Sequence, residues 1–210
     1  MARQYSAPQR EEKAQATRAH IVRTARGLLL GGGGYAGMTI TGLAKAAGVS
    51  PQTVYNSVGG KAEVIKAVYD VMLAGDEEQT PMSERPEFRR VADAADVPSY
   101  AAAYAAWSRT IYDRVGPLLG VLVAHGPGGD PVLEAFVATI DTERRNGNTH
   151  SLRGIAERGH LASRDFDEAV DAVWTLTAPE AYDRLVQRCG WTPAAYERWL
   201  ASQLAAALSG

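Results

Sequence analysis

The sequence predicts an all-α protein: an N-terminal three-helix domain with a helix-turn-helix, then a C-terminal helical bundle. Three observations support this prediction. Residues 39–61 contain two short helical patterns separated by Gly48. Apolar residues recur at helical spacing along most of the chain, with no alternating strand pattern. Charge is also uneven, since residues 1–75 carry nine Lys/Arg and four Asp/Glu, whereas residues 76–210 carry thirteen and twenty.

This charge distribution favours contact of the N-terminal third with nucleic acid. Its net charge is +5, and that of the remainder is −7. A basic surface neutralises phosphates, while the acidic remainder would be repelled by a duplex. The alternative is that these charges only solvate helix faces.

Residues 1–12 are polar and are predicted to form a flexible N-terminal arm. Arg3 and Arg10 could reach along DNA from this arm, although a simple disordered terminus is the plainer expectation. A helix is predicted over residues 13–30, because one face is apolar. That face consists of Ile21, Ala25, Leu28 and Leu29. The glycines of residues 31–34 should end the helix.

Local chemistry defines both helices of the helix-turn-helix. Thr39 and Ser50 can each accept a backbone N–H as an N-cap, and Pro51 suits the first helical position. Leu43, Ala44 and Ala47 form the apolar stripe of the first helix, and Gly48 stops it. Val54 should face inward from the second helix. The predicted outward side chains, all hydrogen-bond formers, are Gln52, Thr53, Tyr55, Asn56 and Ser57.

A further helix begins at Lys61 and joins this domain to the next one. Its apolar stripe comprises Ile65, Val68, Tyr69 and Met72. We therefore assign residues 13–75 to a DNA-binding domain and residues 76–210 to an effector-binding and dimerisation domain. The polar stretch 76–87 is predicted to be a loop or an interrupted helix.

At these motifs the chain resembles the TetR (tetracycline-repressor-type) family of bacterial transcription regulators. The matching residues, in order, are Gly34-Tyr35, Thr39, Leu43-Ala44, Ala47-Gly48-Val49-Ser50, Thr53-Val54-Tyr55 and Lys61. Val58 departs from the family, which usually has an aromatic there, and Gly42 stands where an acid would complete a capping box. Residues 153–200 are also similar to the C-terminal halves of many members of the family. The resemblance implies a homodimer that binds a palindromic operator in double-stranded DNA.

The resemblance and the helix chemistry together give candidate DNA contacts. Thr39, Ser50, Tyr55 and Lys61 are carried over as phosphate contacts, and helix N-termini favour phosphate oxygens. Gln52 and Asn56 are the expected base readers, because amides can pair bidentately with adenine. Thr53 could touch a thymine methyl or face inward.

Beyond residue 90 the pattern predicts a series of helices. They span residues 98–114, 117–125, 131–147, 149–159, 166–188 with a bend at Pro179, and 193–208, and the glycine-rich stretch 126–131 is read as a turn. Tyr104, Trp107 and Ile111 share one helix face, which is how pockets between bundled helices are lined. We expect a mainly apolar effector pocket there, although such stripes are more often core. The candidate lining is Tyr104, Trp107, Ile111, His125, Phe136 and Trp174.

The last helices carry more large apolar side chains than a small domain readily buries. Large exposed apolar patches mark interfaces. The candidate dimer interface is Val173, Leu176, Trp199, Leu200 and Leu204. The alternative is that these side chains are monomer core.

Other classes of function have little support in the sequence. The four histidines lack the spacing of a zinc site, and Cys189, expected to be buried, is the only cysteine, so we expect neither metal nor cofactor. No Gly-x-Ser-x-Gly elbow and no membrane-spanning run occur, which predicts a cytoplasmic protein that is not an enzyme. We expect a transcriptional repressor released from its operator by a mainly apolar small-molecule effector. The alternatives are an effector-independent activator or architectural DNA-binding protein, or a helical enzyme or carrier with a vestigial helix-turn-helix.

Overall fold

The computed structural model describes residues 7–31, 34–75, 84–125, 131–161 and 165–209. Helices make up the regular structure of these ranges, and no strand occurs in them, so the predicted all-α class is confirmed. None of the helices in these ranges is long and apolar enough to cross a bilayer.

Five helices form the N-terminal part of the chain. They are α1 (Ala7–Leu30), α2 (Gly34–Gly37), α3 (Ile40–Ala46), α4 (Pro51–Ser57) and α5 (Lys61–Ala74). Helix α1 ends before the glycine run, as expected. It begins six residues earlier than predicted, so residues 7–12, which we had assigned to the arm, are helical. Arg3, Gly32 and Gly33 lie outside the described residues.

The C-terminal part is longer and more continuous than the sequence suggested. Its elements are α6 (Pro86–Ala92), α7 (Val97–His125), α8 (Pro131–Glu157), α9 (Phe166–Leu176), α10 (Pro179–Tyr182), a π-helical segment (Asp183–Arg188) and α11 (Pro193–Ser209). The expected turn at 126–131 and the loop over 76–87 fall mostly outside the described residues.

Tertiary packing explains why two predicted helix breaks are absent. Helix α7 runs through Pro117, because Val115 and Leu118 on either side of it are fully buried. Helix α8 runs through Gly147 and Asn148, where Asn148 is itself buried and accepts a hydrogen bond from Tyr104. Packing of this kind overrides weak helix propensity.

A predicted single helix over 166–188 is instead divided before Pro179. The Thr177 hydroxyl donates to the Val173 carbonyl oxygen at 2.7 Å, and Pro179 occupies the first turn of α10. Proline suits that position because its missing N–H is not needed there. Cys189 follows the π-helical segment and is exposed, so the expectation that it is buried was wrong.

The N-terminal helices pack around one small apolar core. It contains Ile21 and Leu29 of α1, Leu43 of α3, Val54 of α4 and Ile65 of α5, each at most 1% exposed. Two polar side chains of α1 tie it to the helix-turn-helix. Arg18 donates to the Ser57 carbonyl oxygen at 2.8 Å, and His20 donates to that of Ala47 at 3.1 Å. The position of α4 is therefore set by α1 and α3, against which it packs.

The C-terminal helices bury most of the side chains proposed for a dimer interface. Val173, Leu200 and Leu204 are each fully buried within the single chain, because α11 packs against α7 and α9 along its i, i+4 stripe. These three assignments were wrong, and the alternative of monomer core holds for them. Leu176 and Trp199 remain half-buried.

Two glycines allow a matched stability test of the N-terminal helices. Gly27 lies inside α1 and Gly48 in the turn, where its φ is 65°, and a Cβ at either position would meet nothing within 4 Å. Gly27→Ala should raise the free energy of unfolding by about 0.5–1 kcal/mol, since alanine favours a helix. Gly48→Ala should lower it by about 1 kcal/mol, since only glycine adopts positive φ without strain. Urea unfolding measures both; the same sign for both would contradict the turn geometry.

Candidate nucleic-acid interface and ligand cavity

Both helices of the helix-turn-helix begin with the predicted side-chain caps. Thr39 Oγ1 accepts from the backbone N–H of Gly42 at 3.0 Å, and Ser50 Oγ accepts from that of Thr53 at 3.1 Å. Both cap residues are exposed and have extended backbone conformations. Each helix start therefore keeps a hydroxyl and a positive dipole end near solvent, which suits an anion.

The outward face of α4 carries three exposed hydrogen-bonding side chains. Tyr55 is 53% exposed, and Gln52 and Asn56 are also exposed. Gln52 Nε2 donates to Asn56 Oδ1 at 2.9 Å, so the two amides stand side by side one helical turn apart. This pairing holds both amides in one orientation on the helix surface.

Thr53 and Ser57 are turned further inward than their neighbours on α4. Thr53 is half-buried, and its hydroxyl lies 2.8 Å from Ser50 Oγ. Ser57 is half-buried and its carbonyl oxygen accepts from Arg18. Thr53 thus supports the cap of α4, which is one of the two orientations that the sequence left open.

Lys61 begins α5 and lies against an aromatic ring. Its Nζ is 3.7 Å from the ring centroid of Tyr35, a cation–π contact that links the start of α5 to α2. Sequence reasoning missed this contact. The family motif names both residues, but their pairing depends on the path of the chain between them.

A cavity of about 210 Å³ lies between α5, α6, α7 and α8. Tyr104, Trp107 and Ile111, which share one face of α7, line it, and so do Tyr112 and Asn148. Apolar wall residues that the prediction missed are Leu73, Phe88, Val115, Leu119 and Ile140. They come from four helices, and a spacing argument on α7 alone could not find them.

Two aromatic residues that we expected in the cavity have other roles. The Phe136 ring packs edge-on against Tyr69, with centroids 5.6 Å apart. Trp174 donates from Nε1 to Asp141 Oδ1 at 3.1 Å. Neither lines the cavity. The side chain of His125 lies outside the described residues.

Polar groups on α8 form one side of the cavity. Arg144 donates to Asp141 Oδ1 at 2.7 Å and to the Trp174 carbonyl oxygen at 2.8 Å. The Tyr104 hydroxyl donates to Asn148 Oδ1, and Glu143 also reaches the cavity. Within the described residues no group of His, Cys, Asp and Glu could hold a metal ion.

Helix α5 is common to the cavity and to the N-terminal core. Tyr69 and Leu73 line the cavity, whereas Ile65, one or two turns earlier, belongs to the core of the helix-turn-helix unit. Two guanidinium groups anchor its C-terminus, because Arg85 and Arg114 each donate to the Ala74 carbonyl oxygen at 3.1 Å. Helix α5 packs against α1, which in turn packs against α4, so the cavity wall and α4 are linked through α1.

The chain has the fold of a solved regulator structure. It matches the "putative fatty acid metabolism regulator" of Clostridium perfringens with a TM-score of 0.62, over 90% of this chain and 97% of that chain. Sequence identity is 13%, so the likeness shows the fold alone. No family model and no curated protein matches the sequence.

The buried tyrosines, three of which line the cavity, predict loss of stability at alkaline pH. Burial, with help from Glu143, raises the pKa of Tyr69 to about 12, and burial also raises the pKa values of Tyr100, Tyr104, Tyr112 and Tyr196. Their contribution is complete below the ordinary tyrosine value of 10.0. It is lost as pH rises towards the folded values, because the unfolded chain ionises first.

We therefore expect the free energy of unfolding to fall steeply above that value. As these five phenols ionise, tyrosinate absorbance should rise over the same pH range in which helical circular dichroism is lost. Tyr55→Phe, which removes an exposed phenol, should leave the unfolding profile unchanged. Ionisation of the five phenols with the helices intact would contradict the burial.

Proposed function

We propose that this protein is a sequence-specific transcription regulator of the TetR type, a repressor that a small molecule releases from DNA. One observation carries the proposal. Helix α5 contributes both a wall of the ligand cavity and part of the core that positions the exposed face of α4. Such sharing gives a ligand a physical route to the DNA-binding surface. The fold of a structure described as a regulator agrees with this function.

On DNA, α4 enters the major groove with Gln52 and Asn56 towards the base edges. Their exposed amides lie side by side and can donate to and accept from the edge of an adenine or of the adjacent base. Thr39, Ser50, Tyr55 and Lys61 contact phosphates on either side. Phosphate contacts set the register of the helix, and base contacts supply the sequence preference.

The active species is a homodimer on a palindromic operator. Two copies of α4 must then reach half-sites about 34–36 Å apart, or a multiple of that distance. The half-buried Leu176 and Trp199 belong to the dimer interface, whereas the fully buried residues of α9 and α11 support it from within each subunit.

Release follows from the geometry of α5. A ligand that favours a different angle between α5 and α7 moves α1, which packs on α5, and α4 with it, and this spoils the half-site spacing. Because binding linkage is reciprocal, DNA and ligand then weaken each other's binding by about 1–3 kcal/mol. The open cavity favours this function over an effector-independent regulator, whose own side chains would fill the space.

The assigned roles of Lys61 as a phosphate contact and Gln52 as a base contact can be tested with two substitutions. Lys61→Ala should weaken binding to specific and scrambled duplexes alike and reduce the salt slope by about one unit. Gln52→Ala should relax preference at one base pair, at a cost of about 1–3 kcal/mol on the preferred sequence. Fluorescence anisotropy at several salt concentrations measures both effects.

Arg198→Ala is the control for charge removal, since Arg198 is an exposed residue of α11 far along the chain from α4. It should leave both affinity and salt slope unchanged. If Lys61→Ala and Gln52→Ala reduced binding equally on every duplex, the assigned roles would be wrong.

Filling the cavity without any ligand tests the release mechanism. Gly147 lines the cavity from α8, and a Cβ there would meet nothing within 4 Å. Gly147→Leu should place its side chain in the cavity and lower operator affinity about tenfold, a value within the usual range of coupling energies. Gly147→Ala is the control, because it gives the same gain in helix propensity without filling the space. Equal operator affinity for the two folded variants would contradict release through the cavity.

A further inference from the structure

We infer that the cavity selects a compact, uncharged ligand with an oxygen acceptor, such as a ketone, ester or amide, and that the side-chain amide of Asn148 binds this oxygen. The inference rests on the proposed function only in taking the cavity as a ligand site. It goes further by assigning the chemical class of the ligand and the residue that recognises it.

Asn148 offers a hydrogen-bond donor for which the described residues supply no partner. The residue is 1% exposed and lines the cavity. Its Oδ1 accepts from the Tyr104 hydroxyl, while its Nδ2 is buried without a hydrogen bond. Buried polar groups are usually satisfied, so this donor requires an explanation. A ligand acceptor in the cavity supplies one.

Neighbouring contacts hold this donor in place. The Ser151 hydroxyl, one turn along α8, donates to the backbone carbonyl oxygen of Asn148 at 3.0 Å. It also lies 3.0 Å from the Tyr100 hydroxyl. Tyr100 and Ser151 are fully buried. The backbone of α8 is thus held at Asn148, and the hydrogen bond from the Tyr104 hydroxyl to Oδ1 positions the side-chain amide before any ligand arrives, which reduces the entropy lost on binding.

The charges around the cavity favour an uncharged ligand over an anion. Arg144 is the cation in the lining, and its guanidinium already pairs with Asp141 at 2.7 Å and donates to a backbone oxygen. Glu143 also lines the cavity and would repel a carboxylate. A neutral oxygen avoids this repulsion and still accepts from Asn148.

Size and wall chemistry limit the remainder of the ligand. A volume of about 210 Å³ lies just below the usual range of ligand pockets, which suits a single ring or a short branched chain. Phe88 and Trp107 meet edge to face, with centroids 5.9 Å apart, and Leu73 and Ile111 complete an apolar wall. The ligand is thus apolar except at its acceptor.

Three probes of nearly equal shape test the inference on the full chain without DNA. Acetophenone carries the neutral acceptor, isopropylbenzene replaces the carbonyl with an apolar group, and benzoate carries a negative charge. Titrations followed in ¹H–¹⁵N spectra report affinity and the shift of the Asn148 side-chain amide signals. We expect acetophenone to bind about tenfold more tightly than either analogue and to shift those signals.

Two variants test whether Asn148 is responsible for the preference for acetophenone. Tyr104→Phe combined with Asn148→Leu removes both partners of the existing hydrogen bond and keeps similar shapes, so folding should be retained. It should remove the preference for acetophenone over isopropylbenzene and also identify the Asn148 signals by their absence. Tyr196→Phe is the control, because the Tyr196 hydroxyl is also buried without a partner but does not line the cavity. It should leave the preference intact.

Several results would overturn the inference. They are equal binding of acetophenone and isopropylbenzene, tighter binding of benzoate, an unchanged preference in the double variant, or no binding of acetophenone. Because these measurements contain no DNA, they are separate from the test of regulation. Selective acetophenone binding by a protein that does not bind an operator would support the ligand class and contradict the proposed regulator.

Discussion

One helix, α5, packs in the core of the N-terminal helices and also forms part of the cavity wall. The proposed function depends on this double role. Its N-terminal half supplies Ile65 to the core of the N-terminal helices, and its C-terminal half supplies Leu73 to the cavity wall. Close-packed interiors transmit displacement instead of absorbing it. The two arginines on the Ala74 carbonyl oxygen hold the end of α5 to α7 and to the residue before α6. The proposed release of DNA by a ligand requires that a displacement of α5 reach α4 through α1, which packs against both.

The helix-turn-helix was predictable because its signals are local. The caps at Thr39 and Ser50 and the glycine of the turn each act within three or four residues, and the structure has all three. Tyr104, Trp107 and Ile111 could likewise be grouped, since they share one face of one helix. Local chemistry was therefore enough to predict where α4 starts and to group the residues of one cavity wall.

Features that depend on packing between distant elements were predicted less well. Helix breaks at Pro117 and Asn148 are absent because buried neighbours stabilise the continuous helices. Phe136 and Trp174 contact partners on other helices instead of lining the cavity. Val173, Leu200 and Leu204 are buried in the core of a single chain. Amphipathic spacing shows that a face is apolar, but it does not say whether that face meets its own chain, a ligand or a second subunit.

The most direct test of the account is whether the wild-type protein prefers a particular DNA sequence. Fluorescence anisotropy would compare duplexes from upstream of the protein's own gene with a scrambled duplex at two salt concentrations. The account predicts tight, salt-dependent preference for one duplex, with two protein chains bound per site. Absence of binding to either duplex at low salt would contradict it, because even non-specific contact with phosphates would then be missing.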